Sequence, residues 1–212
     1  MGIDLGYIAI VIGVILISMT LHEAMHGFMA YFLGDDTAKL QGRLTLNPIK
    51  HIDPFLTLFL PIMLAIAHLP VFGGAKPVPF NPARVKYDEW GAALVAAAGP
   101  LTNLTLAFVT FGVYALLHVS GGGFIGTLLT TAIFVNLGFF IFNIIPIPPL
   151  DGSRVLYALA PEFVRRGMET VERFGVLVIF AIVLLASPLI GTFMLEAINF
   201  FIALFSRIFG LS

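Results

Sequence analysis

The chain contains no cysteine. Disulfides and thiolate metal ligands are thereby excluded, and any bound metal must be held by His, Asp or Glu. Charge is also scarce: 11% of the 212 residues are Asp, Glu, Lys or Arg, against about 25% in soluble domains. A surface so poor in charge cannot be covered in water, so the solvent is lipid. The 11 basic residues face 12 acidic ones, without the basic excess that a nucleic-acid partner calls for. The basic stretch of a cleaved signal peptide is missing too. Residues 1–17 are apolar, and cleavage there would truncate the first long helix, so they are read as part of a retained span.

Apolar residues make up 59% of the chain, with a mean hydropathy of +1.02. Residues 4–33 are apolar apart from Thr20, His22, Glu23 and His26, and stop at Gly34. Residues 37–46 alternate as a strand does and close at Asn47-Pro48, predicting a short β-hairpin-like element after the first helix. Residues 54–69 are apolar but short, with Pro61 inside, and a Gly- and Pro-rich loop follows to Pro82. Two longer apolar stretches cover 90–119 and 124–145. Pro161 opens a helix that is charged from Glu162 to Arg173 and apolar to Ala186; Ser187-Pro188 breaks it, and 189–209 reads as a final span.

A crossing needs about 20 apolar residues, which leaves 54–69 marginal. If that segment dips in and returns, all 11 Lys and Arg share one side of the membrane, and the positive-inside rule makes that side cytoplasmic and the N-terminus external. A full crossing would split them three against eight. The expected fold is therefore an all-α polytopic membrane protein. It has five transmembrane helices plus a re-entrant segment, or six helices if 54–69 spans. Residues 1–212 form a single membrane-embedded domain, with a core over 3–156. Residues 157–212 supply an amphipathic start and two C-terminal transmembrane helices.

The strongest local signal is His22-Glu23-Ala24-Met25-His26. On a helix, positions i and i+4 share a face, so both imidazoles can reach one metal ion while the intervening Glu serves as general base. Two His and a Glu in an apolar span are costly unless paired or metal-bound; a polar cluster lining a transport path is the competing reading. A hydrolytic zinc site wants a third protein ligand. Asp151 is the best candidate, since it follows an apolar run in a Pro-rich context where irregular backbone can line a cavity. A helix cap at the membrane surface is its alternative. Asp151 reaches the two histidines only if the first and third long helices run parallel, which also requires 54–69 to be re-entrant.

His22-Glu23-xx-His26, followed by Asn143-xx-Pro146-xxx-Leu150-Asp151-Gly152, resembles the paired signature of site-2 proteases, and Gly99-Pro100-Leu-Thr-Asn103 resembles that family's Gly-Pro segment. The resemblance implies one Zn2+ per chain held by His22, His26 and Asp151, Glu23 as general base, and Asn143 stabilising the tetrahedral intermediate. It also implies a transmembrane protein as substrate, a bacterial or archaeal cell membrane as location, and a minimal form without PDZ or regulatory domain. Asn143 can equally serve interhelical hydrogen bonding, and Asn103 is read as structural, beside a close helix approach at Gly99 and Pro100.

The strand over 37–46 could offer an edge to an unwound substrate, and Gly73-Gly74 a close backbone approach. His51 and His68 read as solvated interfacial residues, and His118 as too distant to ligate. Glu196 and Asn199 could line an entry path or bond a neighbouring helix. Trp90 and Tyr87 suit an interfacial anchor. A transporter relaying ions through His, Glu and Asp is the alternative function, although the inverted repeat of many such folds is missing.

Overall fold

A computed structural model describes residues 5–66, 74–119, 122–185 and 187–211 of the chain. Every regular element among them is helical. The first helix, α1 (Leu5–Phe32), is 28 residues long, about 42 Å at 1.5 Å per residue, ample for a hydrocarbon core of about 30 Å. It closes at Gly34, whose φ of 105° is a conformation that only glycine adopts freely.

After α1, residues 37–40 and 48–51 pack against it, and among the described residues no hairpin forms. Where alternation predicted a strand, Thr37–Leu40 forms a short helix, α2. The cause is local: Asp35 accepts hydrogen bonds from both the N–H and the hydroxyl of Thr37, and such bonds draw the backbone away from extended pairing. His51, expected to be solvated, is fully buried, its Nε2 at 2.8 Å from the Thr45 carbonyl.

A π-helical turn, Pro54–Phe59, leads into α3 (Leu60–Ile66). The two ends of the segment meet again. Gly74 N–H donates to Leu56 O at 3.1 Å, and Thr57 Oγ1 donates to Gly74 O at 2.6 Å. His68 and Gly73 lie outside the described residues.

Helix α4 (Asp88–Leu116) is the centre of the molecule, packed against α1, against α5 (Gly123–Asn143) and against α6 (Asp151–Leu159). Lys86 N–H donates to Leu33 O at 2.9 Å, so α4 starts beside the end of α1 and runs back along it. Helix α5 reverses again, parallel to α1 as expected. Tyr87 and Trp90 are exposed where α4 begins, as an interfacial anchor would be. His118 is exposed at the opposite end of α4.

The C-terminal part departs from expectation. The helix predicted over 161–186 is cut at residues 173–175 into α7 (Glu162–Glu172) and α8 (Val176–Leu185). Gly175 sits at the break with a φ of 46°. Helix α8 is described as far as Leu185. Helix α9 (Ser187–Ile208) starts on the wrong side for the predicted order. Leu189, Ile190 and Phe193, near its start, line a cavity with Ile144, Ile145 and Pro146, just past the end of α5. Phe209, at its other end, meets Gly112 near the end of α4. Helix α9 is thus antiparallel to α5.

Among the described residues, four helices are long and apolar enough to cross a membrane: Leu5–Phe32, Asp88–Leu116, Gly123–Asn143 and Pro188–Ile208. Ala107, Phe111, Leu137, Ile141 and Phe205 form a core shared by α4, α5 and α9. The protein is a polytopic, all-helical membrane protein.

Candidate metal centre

The HExxH residues sit in the C-terminal half of α1, where His22 is buried and Glu23 and His26 are partly buried. One turn separates the two imidazoles, and their Nε2 atoms are 3.0 Å apart. Asp151, the first residue of α6, points its Oδ2 at the same place, 3.1 Å from His22 Nε2 and 3.4 Å from His26 Nε2. Its reading as a helix cap fails: the cap position is Leu150, and no side-chain cap hydrogen bond forms there. Backbone packing fixes the turn that delivers Asp151, because a Cβ on Gly152 would lie 2.1 Å from Ile144 O.

Protonation follows from the partners of the other ring nitrogens. His26 Nδ1 is 2.7 Å from Val95 O. A carbonyl only accepts, so Nδ1 carries a hydrogen. His22 Nδ1 is 2.6 Å from Asn103 Oδ1, likewise an acceptor. In the neutral rings both Nε2 atoms therefore present lone pairs, and they converge with a carboxylate oxygen. Three electron pairs so close repel unless a proton or a metal ion lies among them.

Zinc meets that requirement. With Zn–N and Zn–O bonds of about 2.0–2.2 Å, tetrahedral ligand atoms sit about 3.3 Å from one another, close to the separations of these three. Helix α4 leaves the room: a Cβ on Gly99 would lie 2.4 Å from His26 Nε2 and 2.7 Å from His22 Nε2. The close approach read from Gly99-Pro100 is here, against the imidazoles.

Glu23 completes a group in which one ligand atom each from His22, Glu23 and His26 lie within 4.8 Å of one another. Its Oε2 accepts from Val78 N–H at 2.9 Å. Val78 stands between Pro77 and Pro79, so in this Pro-Val-Pro run only Val78 has a hydrogen to give. Several bonds fix the run over α1. Arg43 donates to Lys76 O at 2.8 Å and to Pro77 O at 3.3 Å. Lys76 N–H donates to His51 O at 2.8 Å, and Asn81 N–H to Asp35 Oδ2 at 2.6 Å. Burial raises the pKa of Asp35, but bonds from Thr37 and Asn81 outweigh it and hold the carboxyl below its ordinary value.

Asn143 lies in the last turn of α5, half-buried, with Nδ2 donating to Phe139 O at 2.9 Å. That bond belongs to its own helix and does not join it to the three converging atoms. Glu196 and Asn199 are exposed on α9. Sequence reasoning missed Val78 and the tether that holds it, and it also missed Asn136. An asparagine inside an apolar span was the available signal for Asn136; a valine N–H leaves none.

Known proteins agree with this chemistry. Residues 117–186 match the pattern of peptidase family M50. YwhC of Bacillus subtilis, named provisionally as a zinc metalloprotease, is 42% identical over 188 residues, covering 85% of this chain and 81% of its own. Rip2 of Mycolicibacterium smegmatis, named in the same way, is 34% identical over 211 residues, with 93% of this chain and 75% of its own covered. The chain belongs to the site-2 protease family, peptidase family M50. It is an intramembrane zinc metalloendopeptidase. No solved structure matches it, and the transporter alternative has no observation in its favour.

Proposed function

We propose that His22, His26 and Asp151 hold the zinc ion, that Glu23 is the general base, and that the enzyme hydrolyses peptide bonds in or beside transmembrane segments of other proteins. The convergence of two imidazole lone pairs and one carboxylate oxygen, 3.0–3.4 Å apart, carries this reading.

Zinc bound there supplies a Lewis acid, which polarises the scissile carbonyl and favours ionisation of water beside it. Glu23 takes the proton from the attacking water and returns it to the leaving amine. The bond from Val78 N–H holds the Glu23 carboxylate in one orientation while it does so. Asn143 keeps a second N–H beyond the one given to Phe139, and we assign that donor to the developing oxyanion.

The topology we favour has four crossings, by α1, α4, α5 and α9. Leu56 and Thr57 both bond to Gly74, which supports placing these positions on one face of the membrane. Apart from Arg207, every basic residue then falls on the side of Asp151, which makes that side cytoplasmic. Residues 3–156 carry the chemistry, and α9 packs on α5 and α4 behind them.

The test is metal content and cleavage of a membrane substrate in parallel. His22→Ala and Asp151→Ala should each lose the zinc, whereas Glu23→Gln should keep it and lose about 10²–10⁴-fold in rate. Zinc retained in both ligand variants would refute the site; undiminished cleavage by Glu23→Gln would refute the base.

A further inference from the structure

The second nitrogen of each metal-facing histidine is held differently. His26 Nδ1 bonds a backbone carbonyl, which can only accept, so its tautomer is fixed by the fold. His22 Nδ1 bonds a side-chain amide, which has an accepting end and a donating end. Turned over, Asn103 would donate to Nδ1. The ring hydrogen would then move to Nε2, where it would occupy the lone pair that faces Asp151 and His26.

A second amide decides which end Asn103 presents. Asn136, on α5, is buried, and its Nδ2 lies 2.9 Å from Ala132 O and 2.9 Å from Ser18 Oγ. Ala132 O is a backbone acceptor and requires an N–H from Asn136, so Oδ1 of Asn136 must face the other way. There it accepts from Asn103 Nδ2 at 2.9 Å. The same nitrogen lies 3.4 Å from Ser18 O, again an acceptor. With Nδ2 committed, Asn103 can turn only Oδ1 toward His22. His22, Ser18, Asn103 and Asn136 are all buried and the bond to Ala132 O is partly buried, so a broken link would leave a polar group unpaired with little access to water.

We propose that Asn136 is a positioning residue for the zinc site. Acting through Asn103, it keeps the hydrogen of His22 on Nδ1 and so keeps Nε2 open to the metal. This rests on His22 being a zinc ligand, as argued above. Asn136 itself touches neither zinc nor substrate. Outer partners of metal-binding histidines typically contribute 10–100-fold to metal affinity, and here the contribution reaches one residue further out.

The first experiment needs no substitution. In metal-free protein carrying ¹⁵N-labelled histidine, the His22 signals should report a hydrogen on Nδ1; an unprotonated Nδ1 would overturn the proposal. The second is zinc affinity by competition with a chelator. Asn136→Leu should weaken zinc binding by about 10-fold or more. Asn103→Asp presents oxygen in either orientation and has no need of Asn136. In that background the Asn136→Leu change should therefore leave zinc affinity unmoved. A defect that persists in the double variant would mean that Asn136 only packs, and unweakened binding in the single variant would remove its role altogether. Loss of zinc in His22→Ala, with normal binding in Asn136→Leu, sinks the relay alone; zinc retained in His22→Ala sinks the metal site beneath it.

Discussion

Replacing Gly99 with alanine sets two effects of opposite sign against each other. In the interior of α4 the change favours the helix, since glycine costs about 1 kcal/mol relative to alanine there. At the metal centre the added methyl would lie 2.4 Å from His26 Nε2, 2.5 Å from His26 Cε1 and 2.7 Å from His22 Nε2. Ordinary contact begins near 3.4 Å, so the rings must retreat by roughly 0.7–1 Å. Zinc sites tolerate about 0.2 Å in their bond lengths. Both rings are also held from behind, by Asn103 and by Val95 O, so retreat breaks bonds of 2.6 and 2.7 Å. Overpacking of this kind costs about 1–3 kcal/mol, which the helix gain partly offsets. The protein should therefore fold and insert, with thermal stability near that of the parent, and yet fail to hold zinc. Metal analysis of the purified protein, alongside a melting curve in detergent, separates the two effects. A Gly99→Ala protein with one zinc per chain and normal cleavage would refute the placement of α4 against the imidazoles.

Two further outcomes follow from the segment that crosses above the site. Val78→Pro removes the N–H that Glu23 accepts while suiting a residue already extended before Pro79. A lost hydrogen bond to a charged group, about 1.5 kcal/mol, should lower kcat about 10-fold with zinc content intact. An unchanged kcat would show that Val78 does not orient Glu23. The anchor at Asp35 should respond to acid. Its folded pKa lies below the ordinary aspartate value of 3.8, so the stability it contributes is complete above that value and is lost as pH falls through the lower, folded one. Hydrogen exchange at Asn81 should accelerate in that window, and Asp35→Asn should abolish the pH dependence; a pH response unaltered in Asp35→Asn would assign it to another group.

The residues that converge at the proposed zinc site were legible because lipid makes polarity expensive. In a span where every charged or polar side chain needs a reason, His22, Glu23 and His26 stand out, and so does Asp151 once cysteine is absent. Asn103 stood out equally but was assigned to helix packing. Its function depends on which nitrogen it faces, and spacing along one helix cannot reveal a partner on another. Asn136 needed the same pairing. The segment over the site was misread for a different reason: alternation in 37–46 is a weak signal, and Asp35, bonding to Thr37, overrode it.

The direction of α9 shows where a charge count stops being informative. Placing all 11 basic residues on one side assumed that residues 161–186 cross, a reading taken from their apolar second half. Charge bias orients the loops near membrane-spanning segments taken together; it does not bind each residue singly. Packing decides the direction instead. Phe205 packs edge-on and Phe209 tilted against Phe108 and Phe111 of α4, and Phe201 packs edge-on against Phe140 of α5. Reversing α9 would part all these rings and turn the exposed Glu196 and Asn199 to a different face. A single arginine at a helix end can reach the nearby interface by extending its side chain. An aromatic cluster has no such freedom, so the direction of α9 is set by its phenylalanines.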